Sequence, residues 1–193
     1  NTRRQVADET QLVSIYGKPD SNNYVSFFTA SSFLSYGNNL KVVRAVGSNC
    51  YNAIANTAAL NTQIQNEVAF ESSYLNGNNG YALGSFMAKY PGGLGNSLTV
   101  SVLDAGANFS TWTVNGINVS TYFNGAPGTS AQCAAAGGAN DEIHIIVTDS
   151  GGLFTGVKNS VLEVFPYLSK ASDATDSLGN SNYWKNVLFN NSK

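Results

Sequence analysis

The chain has 193 residues and a formal net charge of −2, with 42% hydrophobic, 11% aromatic and only 11% charged side chains. That apolar content supports a folded core and excludes a disordered segment. Lys and Arg are scattered apart from Arg3-Arg4, which excludes nucleic-acid binding through a basic stripe. No apolar run reaches the ~20 residues of a membrane helix. No N-terminal stretch reads as a secretory signal. Solubility rests on Asn (25 residues), Ser, Thr and Gly (19 residues) rather than on ions.

Asp8 or Thr10 caps a first helix whose apolar positions are Leu12, Val13 and Tyr16, and Gly17 and Pro19 stop it. Ser21 or Asn22 caps a second helix. Its apolar face holds Tyr24, Phe27, Phe28, Ser31 and Leu34, and Gly37-Asn38 ends it. Residues 40–46 (LKVVRAV) are short, β-branched and nearly all apolar, which predicts an inner strand covered on both faces. Arg44 then sits at the strand end, snorkelling or paired with a carboxylate.

Residues 47–66, rich in Ala and Asn, read as a connection. Tyr81, Leu83, Phe86, Met87 and Tyr90 suggest a helix ending at Pro91-Gly92-Gly93. A strand follows at 98–103, with Leu98, Val100 and Val102 on one face and Thr99 and Ser101 on the other. Asn115-Gly116 between TWTV and INVS predicts a type I′ hairpin. Residues 124–140 read as a Gly/Ala/Ser-rich loop. Residues 142–148 and 161–165 are strands, with a turn at Asp149-Ser150-Gly151-Gly152 after the first. Tyr183, Trp184, Val187 and Leu188 mark a final short helix. No linker or repeat divides the chain, so the expectation is one α+β domain over 1–193: an antiparallel two-layer sandwich or sheet flanked by several short helices.

Residues that carry chemistry are few. His144 lies opposite Ile143 and Ile145 on its strand. No G-x-S-x-G elbow supplies a nucleophile for it, so it reads as a strand residue on the more polar face. One His and the distant Cys50 and Cys133 make no zinc site. The two cysteines read as free, half-buried thiols, with a single disulfide as the alternative.

Asp141-Glu142 and Asp173/Asp176 are the close acidic pairs, and the latter reads as loop or helix-start chemistry. Gly92-Gly93-Leu94-Gly95 lacks G-K-[ST] and reads as a turn. Trp112 with Tyr122 and Phe123 suggests either core or a sugar-stacking platform. Asn108-Phe-Ser, Asn118-Val-Ser and Asn190-Asn-Ser match a glycan acceptor pattern that so many asparagines produce by chance. No catalytic, cofactor or metal residue emerges, which argues against an enzyme.

Ile15-Tyr16-Gly17-Lys18-Pro19, then Phe33-Leu34-Ser35-Tyr36-Gly37-Asn38-Asn39-Leu40, then Val42-Val43-Arg44-Ala45-Val46 follow one another in this chain. Tyr90-Pro91-Gly92-Gly93-Leu94-Gly95 precedes a strand, and EIHIIVTDSGGL, VLEVFPYLSK and SNYWKNVLFNNS come in that order. This series resembles the contractile-tail sheath proteins of T-even-like myophages. The resemblance implies a fragment of a sheath subunit, its middle or outer domain, lacking the C-terminal core. The outward β-barrel of larger relatives would be absent or vestigial near 47–66.

It also implies a structural, non-enzymatic role in a helical tube that contracts to drive genome ejection into the host. Partners would be neighbouring sheath subunits and the tail tube, with no nucleic acid, membrane or cofactor. The protein would be made in the bacterial cytoplasm and reside in the virion tail, and the fragment alone would be a monomer. Two rivals remain at this level: a secreted or surface β-sandwich carbohydrate-binding or adhesin module using Trp112 and Tyr122, and a hydrolase built around His144.

Overall fold

The computed structural model describes residues 3–55, 62–71 and 86–193. Two compact units meet in sequence at Gly95/Asn96, where the composition gives no linker signal. The α+β class holds, with short helices and small antiparallel sheets.

In the first unit, β1 (Arg4–Val6) pairs antiparallel with β2 (Leu40–Val42). Between them lie α1 (Glu9–Tyr16) and α2 (Tyr24–Leu34). Asp8 caps α1 by accepting from the Gln11 N–H at 2.8 Å, and Gly17 ends it at φ 82°, a left-handed value that glycine adopts without strain. The start of α2 departs from expectation. Neither Ser21 nor Asn22 caps it; Asp20 accepts from the N–H groups of Asn22 and Asn23, while Asn23 Oδ1 accepts from the Asp20 N–H. This reciprocal pair does the work of a capping box one turn earlier than the helix.

The core of this unit is Val6, Leu12 and Phe27, flanked by Val13, Ile15, Tyr16, Ala30, Leu34 and Val42. The buried stripe of α2 is therefore Phe27, Ala30 and Leu34, and the expected members Tyr24 and Phe28 are exposed. The inner strand expected at 40–46 is also corrected. Only three residues pair, on one side, and Lys41 and Val43 are exposed. Among the described residues Arg44 meets no carboxylate; its Nη2 donates to the Pro91 carbonyl at 3.3 Å and its guanidinium lies 5.6 Å from the Tyr90 ring centre.

The stretch expected as a connection has a defined path where it is described. The buried Asn52 donates through Nδ2 to Ala88 O, accepts from Ile64 N–H, and donates its own N–H to Thr62 O. Ile54 and Met87 form an antiparallel bridge, so Phe86 and Met87 belong to an extended segment and Tyr90 to the bend after it, not to the expected helix. Tyr81 and Leu83 lie outside the described residues, as do 56–61 of the stretch where a vestigial barrel was expected. A short helix, α3 (Glu67–Phe70), is capped by Asn66. Gly92-Gly93-Leu94-Gly95 turns into a 3-10 helix at Gly93–Ser97.

The second unit is built on a three-stranded antiparallel sheet. Its order is β3 (Leu98–Asp104), β6 (Glu142–Asp149), β7 (Ser160–Ser169), with β6 central. Between β3 and β6 in sequence come the hairpin β4 (Thr113–Val114)–β5 (Ile117–Asn118) and the short helix α4 (Ala131–Ala135). Asn115 and Gly116 both take left-handed φ, 50° and 81°, the type I′ turn expected of this dipeptide. Inside the segment expected as loop, α4 is capped by the Ser130 hydroxyl.

Trp112, Val114, Val119 and Phe123 from the hairpin region pack on Leu103 and Ile146 of the sheet, forming a small second layer. This core lies on the face of β3 that carries Ser101 and Leu103. The expected apolar face, Leu98, Val100 and Val102, is the more open one. The indole Nε1–H bonded to Ser101 Oγ at 3.0 Å makes a serine an acceptable core residue there. The last helix, α5 (Trp184–Asn191), begins where Tyr183-Trp184 predicted it. Its end is tied to β7 by Ser192 Oγ and Lys193 N–H donating to Glu163.

The two phenylalanines of α2 give a sharp check. Phe27→Ala removes a buried ring and should cost about 3–4 kcal/mol in chemical denaturation, whereas Phe28→Ala, half exposed, should stay within ~1 kcal/mol. Equal losses would contradict the packing described.

Candidate functional site

The titratable groups with unusual surroundings lie on or beside β6: Asp141, His144 and Asp149, all buried. A cluster of this kind is where chemistry is sought first. Each turns out to be bonded to loop backbone and hydroxyl groups.

His144 is fully buried, more so than the polar-face reading expected. The cause lies across the sheet. Ile145 pairs with Phe165 and Ile143 with Leu168, so Pro166 and Tyr167 together face His144 alone in a β-bulge. Pro166 has no N–H to offer the ladder, and Tyr167 takes φ 52°. The Tyr167 N–H donates to His144 Nδ1 at 3.0 Å. A backbone N–H only donates, so Nδ1 is the acceptor and the ring proton sits on Nε2, which is 2.8 Å from the Gly125 carbonyl. The ring stacks on Phe123 with centroids 4.4 Å apart and meets Tyr167 edge-on at 4.6 Å. Both ring nitrogens are engaged, leaving neither to serve as a general base.

Asp149 ends β6. Its carboxylate accepts from Ser97 Oγ, from the N–H groups of Leu153 (3.0 Å), Phe154 (2.9 Å) and Thr155 (2.8 Å), and from Thr155 Oγ1 (3.0 Å). Burial opposes its ionisation, yet the donors from Ser97, Thr155 and Phe154 outweigh burial and hold the pKa below the usual carboxylate value. The following turn needs its glycines. A Cβ on Gly151 would meet Ser97 Oγ at 2.6 Å, and Gly152 combines φ 75° with Lys158 N only 3.0 Å from a Cβ.

Asp141 stands just before β6. It accepts from Ser130 N–H and Oγ, both at 2.8 Å, and from Ser169 Oγ at 2.6 Å. Burial again opposes ionisation, and the bonds from Ser169, Ser130 and Cys133 bring its pKa down to about 2. The Cys133 thiol is pushed up by its desolvation and by Asp141, which makes it a poor nucleophile. Cys50 and Cys133 are both free and half-buried.

The remaining candidates resolve into local architecture. Glu142 accepts from the Gly128 N–H at 2.9 Å. Asp176 closes a loop by accepting from Leu178 and Asn180, which keeps its pKa low; Asp173 contributes its carbonyl to Gln132 Nε2. Asn108 and Asn118 hold Ser110 and Ser120 in short Asx-type contacts, which accounts for two of the three N-x-S matches. Trp112 is core, and Tyr122 is the exposed aromatic of the proposed stacking trio. Among the described residues no three His, Cys, Asp or Glu side chains are placed to hold a metal ion, and no helix is long and apolar enough to cross a membrane. Sequence reasoning missed the roles of Asp141 and Asp149. The signal available was the pattern Asp-Ser-Gly-Gly at the end of an apolar strand.

No family model matches the chain, and no solved structure matches it. Three curated proteins do, and all three are named tail sheath protein. The protein of Salmonella phage ViI is 29% identical over 156 residues, covering 81% of this chain and 21% of the relative. That of Vibrio phage KVP40 is 38% identical over 73 residues, 38% of this chain and 10% of the relative. That of Enterobacteria phage T4 is 46% identical over 43 residues, 22% of this chain and 6% of the relative. The chain is similar to phage tail sheath proteins. It spans about a fifth of the length of the first of them.

The buried carboxylates predict an acid limit. Asp141's folded pKa of about 2 lies below its ordinary 3.8. Its stabilising contribution is therefore complete above the ordinary value and fades as pH falls toward 2; a shift of this size corresponds to about 2 kcal/mol. Urea denaturation from pH 5 down to pH 2 should show this loss, and Asp141→Asn should flatten it. An unchanged slope in the variant would contradict the assignment.

Proposed function

We propose that this chain is part of the subunit of a phage contractile tail sheath and acts as a structural element with no catalytic step, metal or cofactor. The observation that carries the reading is the shared name of similar proteins from three phages, one of which aligns over 81% of this chain. The internal engagement of His144, Asp141 and Asp149 supports it, because their polar atoms hold loops in place.

In this reading, copies of the complete subunit surround the tail tube in a helical array. Head-to-tail contacts that do not close generate such an array. Contraction then moves largely rigid bodies into a new set of contacts. A body stapled internally, with few surface ions to strand, suits that task. Synthesis in the host cytoplasm, assembly in the virion tail and a part in genome delivery follow from the same reading. The carbohydrate-binding alternative is not supported: Trp112, the centre of its platform, lies in the core with its Nε1–H engaged.

The test is antibody against this chain, applied to particles of the phage that encodes it and viewed by electron microscopy. Gold should decorate the whole tail length, and the labelled zone should shorten when the tail contracts. Label confined to the head, the baseplate or fibres, or none on the particle, would overturn the reading.

A further inference from the structure

Asn76, Asn79, Asn115 and Asn124 are each followed by glycine. The first two lie outside the described residues. The other two sit in opposite surroundings, and the contrast decides a reaction that the sequence permits at both. A glycine after asparagine has no Cβ to shield its backbone nitrogen, so that nitrogen can approach the asparagine side-chain carbonyl carbon.

Closing a ring in this way has one geometric requirement. The glycine nitrogen must lie on the same side of the Cα–C bond as the asparagine Cβ. Asn115 does not meet it. At φ 50° it holds the left-handed conformation of its turn, in which a ψ of roughly +30 to +50° points the next nitrogen away from Cβ. Rotating it would undo the turn that sets the pairs Val114↔Ile117 and Thr113↔Asn118. Asn124 is exposed, lies outside any helix or strand, and is not left-handed. Neither its side chain nor the Gly125 N–H has a hydrogen-bond partner among the described residues. Its glycine is one the packing calls for, since a Cβ at 125 would stand 3.2 Å from Tyr167 Oη.

We propose that Asn124 is a site of spontaneous main-chain modification, deamidation through a succinimide, and that its product loosens the seat of His144. The Gly125 nitrogen loses its proton to solvent and bonds to Asn124 Cγ; the Cγ–Nδ2 bond breaks and ammonia leaves. Water then opens the ring. Attack at Cγ gives aspartate. Attack at the main-chain carbonyl carbon gives isoaspartate, in which the backbone runs through the former side chain and is longer by a methylene. Either product carries a carboxylate where the amide was.

The position has a consequence because both neighbours of Asn124 hold the same ring. Phe123 stacks on the His144 imidazole with centroids 4.4 Å apart, and the Gly125 carbonyl accepts from Nε2 at 2.8 Å. An added methylene between them puts one contact out of register with the other. The bond from the Tyr167 N–H to Nδ1 depends on that seat. None of this depends on the sheath reading.

The experiment incubates the folded 193-residue chain in mildly alkaline buffer and follows each Asn-Gly peptide by mass spectrometry, with isoaspartate scored by a methyltransferase specific for it. Asn124 should deamidate about tenfold or more faster than Asn115 in the folded chain, and the two rates should converge in urea, where the turn is lost. The fraction carrying isoaspartate at 124 should show faster hydrogen exchange at the Tyr167 amide, and Asn124→Gln aged alongside should not. An Asn115 rate equal to or above that of Asn124 in the folded chain, a difference that persists unchanged in urea, or a modified fraction whose Tyr167 amide exchanges as in the fresh chain would each overturn the proposal.

Discussion

One strand and its buried polar neighbours organise the second unit. β6 runs between two partners and carries Ile143, Ile145, Ile146 and Val147 in the interior. At its start Asp141 gathers Ser130 and Ser169; in its middle His144 takes the N–H of Tyr167; at its end Asp149 gathers Ser97 and three successive loop amides. A buried carboxylate or imidazole without partners would cost several kcal/mol. Here each is saturated, so removing the side chain would leave several buried donors without acceptors. The bulge at Pro166 is possible because His144 stands opposite to receive the N–H that the ladder leaves over.

The same saturation bears on function. Groups that serve in catalysis must be able to exchange a proton or touch a substrate. Those of β6 are turned inward and held by the chain's own amides and hydroxyls. What they produce is stiffness: loops that would otherwise be loose are tied to the central strand at three places. This internal bracing fits the structural role proposed above.

Much of the framework was legible in the sequence. Asp8 and Gly17 bracket α1, Asn115-Gly116 forces the hairpin, and the apolar run at 142–148 marks a strand. The failures have physical causes. The apolar alternation of β3 pointed to the wrong face because Ser101 is made acceptable in the core by the Trp112 indole, a partner eleven residues away. Tyr24 and Phe28 share the expected helical stripe, yet the packing narrows to Phe27, Ala30 and Leu34. Phe86 and Met87 were drawn out of a helix by a bridge to Ile54, and the Asn52 side chain that supports that path imitates backbone in a way periodicity does not register. Pro166 was the visible sign of the bulge. That His144 would complete it depends on cross-strand register, which no local pattern encodes.

The central claim is that buried side chains of β6 hold loop amides as firmly as strand pairing would. Native-state hydrogen exchange on the chain measures this directly. The amides of Tyr167, Phe154, Thr155 and Ser130, all bonded to β6-associated side chains, should exchange as slowly as the amides of Ile145 and Val147 in the ladder. If those loop amides exchange at the rate of the exposed hairpin tip at Asn115-Gly116 while the ladder stays protected, the bracing described here does not exist.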